Sequence, residues 1–407
     1  GSLQTKRYQL ISHFYIPITT INTRLQLPQT FINKQTTHPS MITWLVFYLM
    51  LTIPMINGSD LSLRLQSKFM PTSFSPRNIF DTHVPATINS NKEDSSSSSG
   101  GGGGSGLPPS PMQFHPKLPF PKWLSDFTGL HEWPDLDPPY IPLDFIDFNK
   151  IVNIPIHKQG QCHDTGSNNN NNLTPLSILR TPKACSFDCF NCVEIDDVYT
   201  CPKLLQTFDD GPSTSTLKLL QSFNQTGLKT TLFTLGVNIV RFPEIYQQSH
   251  FMGHIMGSHT WLHKFLPSLT NQEIISQIEW SIWAMNATLN HLPKWFRPPY
   301  GGIDNRIRSI LRQFGMQAVL WDFDTFDWKM LGGGGGATSN IRKEEDVFSE
   351  VEKFKLTKNN KGLILHHDAI QKTVDVGIMI HEKLLNHDQL TVPLCVGGID
   401  YIKTFPK

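Results

Sequence analysis

Five short stretches of this chain concentrate residues able to hold a cation or move a proton. In order they are QTFDDGPS (206–213), SHTWLH (258–263), RPPYG (297–301), WDFDTFDW (321–328) and LILHHD (363–368). Asp209 and Asp210 stand side by side in the first, and His259 and His263 in the second are separated by three residues. Side chains alternate along a strand, so adjacent acids at a strand end should face opposite ways, and two neighbouring anions ask for a reason. A metal supplies one. A carboxylate with two imidazoles is a sound facial set for Zn²⁺ that leaves a position open for water. Such a cation acidifies water and polarises a carbonyl, so one Asp can ligate while its neighbour accepts a proton. Each stretch alone carries little. His250 and His254 repeat the His-x₃-His spacing with no assigned role, two acids before Gly-Pro read as a solvated loop, and RPPYG reads as a rigid turn. Trp321 and Trp328 would ordinarily be core, and Trp261 either stacks on a ligand or packs under a loop.

The elements that must position these residues follow from the apolar pattern. Strand-like runs fall at 204–208, 230–235, 253–257, 294–297, 317–323, 362–366 and 389–396. Helical periodicity falls between them at 214–223, 238–249, 271–289, 305–314, 344–356 and 375–387, and Thr270 with Glu273 predicts a capping box. Such alternation implies parallel βα units, and the polar stretches lie just after strands, where α/β folds place their sites. The expected class is α/β, a distorted (β/α)7-type barrel, closed or nearly closed, over residues 201–398 with a tail at 399–407. Ahead of it, 107–200 is rich in Pro, aromatics and Cys and predicts an extension packed on the barrel. Residues 58–106 end in SSSSSGGGGGSG and read as a linker, while GSNNNNN (166–172) and LGGGGG (331–336) read as low-complexity loops.

Composition narrows the function classes. Among 407 residues, 35 Lys plus Arg balance 34 Asp plus Glu, a net charge of +1 that argues against nucleic acid or an anionic membrane as partner. The apolar stretch 41–57, beginning at Met41, is shorter than a bilayer span and reads as a signal peptide, with residues 1–40 an upstream or non-native segment. A type II anchor or a buried helix is the alternative. Sequons at Asn57, Asn172, Asn224 and Asn286 agree with a secretory route. Six Cys then fit a disulfide set of open connectivity, in which Cys201 and Cys395 can tie the barrel's ends. Cys185, Cys189 and Cys192 also admit a structural zinc.

Taken together and in this order, TFDDGPS, SHTWLH, RPPYGG, WDFDTFDW and LILHHD resemble the five motifs of the carbohydrate esterase family 4 polysaccharide deacetylases, the NodB homology domain. Upstream, WLSDFTGLHEWPDLDPPYIPLDFIDF and CSFDCFNCV resemble fungal chitin deacetylases, extending the likeness back to about Leu118. The resemblance implies a metal-dependent N-deacetylase acting on β-1,4-linked N-acetylglucosamine. By it, Asp209 is the general base, Asp210, His259 and His263 hold Zn²⁺ or Co²⁺, and Arg297 orients the base. His367 is the general acid, tuned by Asp327 or else by Asp324, and the Tyr300 N–H helps hold the oxyanion. Leu365 and Trp321, with Pro298, line the acetyl pocket. Ser258 departs from the Asn that many members carry. The expected protein is a secreted, monomeric enzyme of a cell or spore wall, with chitin as partner and no stable membrane span. An O-acetyl polysaccharide esterase and a non-catalytic chitin-binding protein are the rivals. The signal reading predicts a mature N-terminus downstream of Met41, checked by N-terminal sequencing of secreted material; a start upstream of Met41 would refute it.

Overall fold

The computed structural model describes residues 116–162, 175–331, 341–385 and 389–406. The apolar stretch at 41–57, the linker before Leu107 and the sequons Asn57 and Asn172 lie outside them. Nine strands occur among the described residues: β1 (Leu204–Asp209), β2 (Thr231–Thr234), β3 (Ile255–Ser258), β4 (His291–Pro293), β5 (Trp295–Phe296), β6 (Gln317–Ala318), β7 (Phe323–Asp324), β8 (Gly362–His367) and β9 (Tyr401–Thr404). Seven of them form one sheet in the order β6-β5-β3-β2-β1-β8-β7, and every pairing in it is parallel. β4 and β9 form a separate antiparallel pair. Every residue of β1 is buried, as expected of a parallel strand covered on both faces.

The apolar run at 317–323 divides between the two ends of the sheet. Gln317 and Ala318 pair with β5 at one edge, whereas Phe323 and Asp324 pair with β8 at the other. One short stretch of chain thus crosses from edge to edge and curls the sheet into the expected distorted barrel. Its alternating side chains make an inside and an outside. Leu205, Phe233, Ile255, Trp295, Val319 and Leu363 fill the interior floor. Phe208 faces outward onto Leu219, Leu220 and Phe223 of the helix Thr216–Thr226. Above the floor, Thr207 lies beside Leu365 and Asp209 beside His367.

Two elements depart from the periodicity. The predicted seventh strand at 389–396 is instead a helix, Val392–Val396, with Pro393 at its start and Gly397 closing it at a φ of 66°. Pro lacks the N–H a strand ladder needs but suits the first turn of a helix, and that outweighs the apolar run. The predicted helix 238–249 breaks into Gly236–Arg241 and Pro243–Phe251, again at a proline. The helix Asn271–Leu289 matches its expectation end to end, and Thr270 and Glu273 cap it reciprocally.

Residues 117–157 make no strand, so their backbone groups need partners from the barrel's outer layer. The Lys117 and Leu118 N–H groups donate to the Val240 carbonyl, at 2.9 and 3.0 Å. Ile141 N–H donates to Glu279 Oε1 (2.9 Å), Asp147 N–H to Gln313 Oε1 (2.7 Å), and the Trp280 indole to the Pro139 carbonyl (2.8 Å). The segment is a strap laid across three helices. Burial of Glu279 beneath it raises that carboxyl to about 8.

All six Cys are paired, Cys162 with Cys189, Cys185 with Cys192, and Cys201 with Cys395, which rules out the three-cysteine zinc reading in this state. The cysteine-rich segment is locked to the barrel by Arg308. Its guanidinium binds Asp197 (2.8 Å) and the carbonyls of Cys185 (2.6 Å) and Cys192 (3.2 Å), with both charged side chains buried. Among the described residues no helix is long and apolar enough to cross a membrane. Removing one member of such a buried pair strands the other charge, so Arg308→Met should destabilise by about 3–5 kcal/mol in urea denaturation. A loss below about 1 kcal/mol would show that the lock is dispensable.

Candidate active site

The two neighbouring acids are brought to one side by the backbone. Asp209 ends β1 facing the barrel interior, and Asp210 follows with a φ of 77°, in the left-handed region that breaks strand alternation. Both carboxylates therefore converge on one imidazole. His259 Nε2 lies 3.7 Å from Asp209 Oδ2 and 3.4 Å from Asp210 Oδ1. His263 Nε2 lies 3.3 Å from the same Asp210 oxygen. Beneath the turn sits Asp368, where a Cβ on Gly211 would stand only 2.5 Å from its Oδ2, so the close approach requires glycine.

The protonation pattern at this point is decided by neighbours. His259 Nδ1 is 2.7 Å from the Arg297 carbonyl, which can only accept, so Nδ1 carries the proton and Nε2 presents a lone pair. Burial lowers His263 to about 4, against the pull of Asp210, leaving its ring neutral at neutral pH. Burial alone would raise Asp210, but positive charge around it, from His259 and His263 when they are protonated and from His367, holds it well below the usual carboxylate range. Its Oδ1 is buried without a hydrogen-bond partner. The three atoms form a set of potential ligands within 4.8 Å of one another. Donors without a proton to share, converging on one point, are what a divalent cation needs, so the residues fit a metal.

Asp209 belongs to a different circuit. Arg297, fully buried, donates from one terminal nitrogen to Asp209 Oδ1 (2.8 Å) and to Thr207 Oγ1 (2.7 Å). Its other nitrogens donate to the carbonyls of Val319 and Leu320, at 3.1 and 3.2 Å. Burial pulls the guanidinium pKa down and Asp209 pulls it back up. Across the sheet, His367 Nδ1 donates to Asp327 Oδ1 (2.6 Å), and Asp327 Oδ2 accepts the His367 backbone N–H (3.0 Å). Burial alone would lower His367, yet Asp327, aided by Asp210 and Asp209, raises it to about 10. Asp327, rather than Asp324, holds this imidazole. The Asp324 carboxylate caps the Phe326 N–H (2.7 Å), and burial lifts it to about 6.

The remaining expected residues are spread around these circuits. Tyr300 is half-exposed, has a φ of 59°, and packs its ring 4.5 Å from that of His263. Trp321 packs edge-on against Phe187 at 5.3 Å, while Leu365 and Pro298 are buried. Ser258 bonds Ser281 at 2.8 Å and makes no part of the donor set. Trp261 is fully buried, so of its two readings the packing one holds. Asn224 is exposed and Asn286 half-buried within its helix.

Two contributors carried no assignment in the sequence. Thr207, two residues before Asp209, accepts from Arg297 and donates to the Ile364 carbonyl (2.9 Å); a two-residue strand period was the signal that could have found it. Asp368 accepts from Thr216 Oγ1 (2.6 Å), donates its N–H to the Asp209 carbonyl (3.0 Å), and is raised by burial to about 7.

Residues 197–319 match the family profile described as polysaccharide deacetylase. The chain belongs to that family. Within it, the chain is 56% identical to Chitin deacetylase 2 of Saccharomyces cerevisiae over 289 residues, covering 71% of this chain and 84% of that protein. Chitin deacetylase 1 of the same yeast is 48% identical over 289 residues, 71% of this chain and 87% of that one. Among solved structures, the chitin deacetylase of Colletotrichum lindemuthianum is 25% identical, covers 51% of this chain and 94% of its own, and has a TM-score of 0.42.

Since Asp327 holds His367 protonated, Asp327→Asn should lower that imidazole by about 1–3 pH units. The charged ring persists until pH rises through about 10 in the parent chain, so the substitution moves its deprotonation toward neutrality. NMR titration of the His367 ring would read the shift directly; an unmoved titration counts against the pairing.

Proposed function

We propose that the protein is a chitin deacetylase, hydrolysing the N-acetyl groups of β-1,4-linked N-acetylglucosamine to acetate and free amines. The observation that carries this reading is the trio Asp210, His259 and His263 flanked by two separate proton-handling pairs, Asp209 with Arg297 and Asp327 with His367. Asp210, His259 and His263 would hold Zn²⁺ or Co²⁺, which supplies Lewis acidity, acidifying water and polarising an amide carbonyl.

The chain's own residues divide the proton traffic. Asp209, held by Arg297, takes the proton that water loses as its oxygen bonds to the amide carbon. The Tyr300 N–H donates to the carbonyl oxygen as negative charge gathers there. His367, charged through Asp327 on its Nδ1 side, gives its Nε2 proton to the amide nitrogen as the C–N bond breaks. Trp321, Leu365 and Pro298 enclose the acetyl methyl, and Asp324 shapes the turn that carries Asp327. Among the groups that raise His367, Asp327 comes ahead of Asp210 and Asp209, so its bond would still hold the proton were Asp210 engaged by a cation.

The same reading makes the protein a secreted, monomeric wall enzyme, with the sequons able to carry glycans and residues 201–398 as its catalytic domain. Three disulfides fit an oxidising compartment. The chitin deacetylase similarity favours the amide over an O-acetyl ester or mere binding.

Acetate release from chitin oligosaccharides tests the proposal, with mass spectrometry of the products. Release should stop with a chelator and return with Zn²⁺ or Co²⁺. Asp210→Ala should lose metal, whereas Asp209→Asn should keep the metal and lose turnover by about 10²–10⁴-fold. Chitin binding without acetate release from the metal-loaded chain would leave only the non-catalytic reading standing.

A further inference from the structure

The loop that carries His259 and His263 is held in an unfavourable shape. Thr260 and His263 have φ values of 74° and 58°, which non-glycine residues keep only where their surroundings over-determine them. Three neighbours do so. The helix Gly236–Arg241 offers the N–H groups of Gly236 and Val237 to the carbonyls of Thr260 (2.9 Å) and Trp261 (3.1 Å). From the helix Asn271–Leu289, Gln277 Oε1 accepts the Leu262 N–H at 2.9 Å.

The third neighbour is the strap. Trp261, lying between the two histidines, donates its indole N–H to the Leu136 carbonyl (3.2 Å). Its ring stacks on Trp133 with centroids 6.0 Å apart at 21°. On its other side the indole presses on Gly236, where a Cβ would come within 2.4 Å of it. One residue beyond His263, Lys264 reaches Asp137 of the strap at 3.1 Å. The strap thus grips the loop both before and after His263.

We propose that the strap is a positioning element of the metal site, with Trp133, Leu136 and Asp137 fixing the geometry of the His259–His263 pair. This rests on the ligand assignment made above and extends it to residues that precede the 197–319 family match. A strap that merely covered apolar surface would add stability without changing affinity for the ion. A strap that fixes the loop preorganises the ligands, and its loss should weaken binding, as loss of residues that orient metal ligands does.

The test is the Kd of the full apo chain for Zn²⁺, measured by competition with a chromophoric chelator, alongside Tm. Trp133→Leu should weaken Zn²⁺ by about tenfold or more. The control is Phe127→Ala, which removes a strap contact with Trp283 made with centroids 5.9 Å apart. It should lower Tm yet leave Kd within about twofold, since it touches none of the loop residues. Asp137→Ala, at an exposed ion pair, should weaken Zn²⁺ by about threefold. Equal Kd for Trp133→Leu and the parent chain, with only Tm reduced, overturns the proposal. Should Trp133→Leu not fold, Asp137→Ala decides, and an unchanged Kd there overturns it equally. His263→Ala separates the underlying assignment: retained Zn²⁺ affinity in that variant would sink the ligand reading itself.

Discussion

Asp210 Oδ1 and the Nε2 atoms of His259 and His263 meet at 3.3–3.4 Å. His259 has its proton on the far nitrogen, fixed there by the Arg297 carbonyl, and Asp210 stays ionised. Burial keeps His263 neutral. Electron pairs converging without a proton between them repel unless a cation stands among them, and the surrounding structure holds them there regardless. The left-handed Asp210, the strained loop of Thr260 and His263, and the Asp368 carboxyl tucked under Gly211 each work to that end. Such strain is tolerated where function requires it and the rest of the fold over-determines the backbone.

Around this point the barrel sets two charge pairs to opposite purposes. Arg297 is buried on the interior axis, donates hydrogen bonds from all three of its nitrogens, and pairs with Asp209. Asp327 does the reverse for His367, keeping a buried imidazole charged against the desolvation that lowers its neighbour His366 to about 4. Adjacent histidines on β8 thus differ in protonation because alternation sends one inside toward the site and the other outward, where His366 stacks on Phe208. An acceptor and a donor of protons held apart in this way are the two things amide hydrolysis asks of side chains.

Much of this was legible in the chain alone. The helix Asn271–Leu289 announced itself by periodicity and a capping box, and six of the seven strand-like runs formed sheet strands. The candidate metal trio and the pairing of His367 with Asp327, or else Asp324, came from the likeness to the deacetylase motifs, and the structure brings the trio together and pairs His367 with Asp327. Where reading by pattern failed, a competing local rule explains it. Pro393 turned an apolar run into a helix start, and Pro243 split a helix in two. Period alone also could not show that 317–323 serves both edges of the sheet, because edge pairing depends on how the whole sheet curls.

By itself, then, the order of residues determined the βα alternation and set carboxylates and imidazoles at strand ends, since these follow from short-range periodicity and chemical type. The role expected of each came from the likeness to the deacetylase motifs. Tertiary structure decided the rest. It put two adjacent carboxylates on the same side through one left-handed residue, chose the His259 tautomer through the carbonyl of Arg297, and selected Asp327 over Asp324. It also laid the strap against Trp261. The last three depend on groups far apart in the chain that meet only in the folded molecule, where desolvation and contact then act on charged groups such as His367.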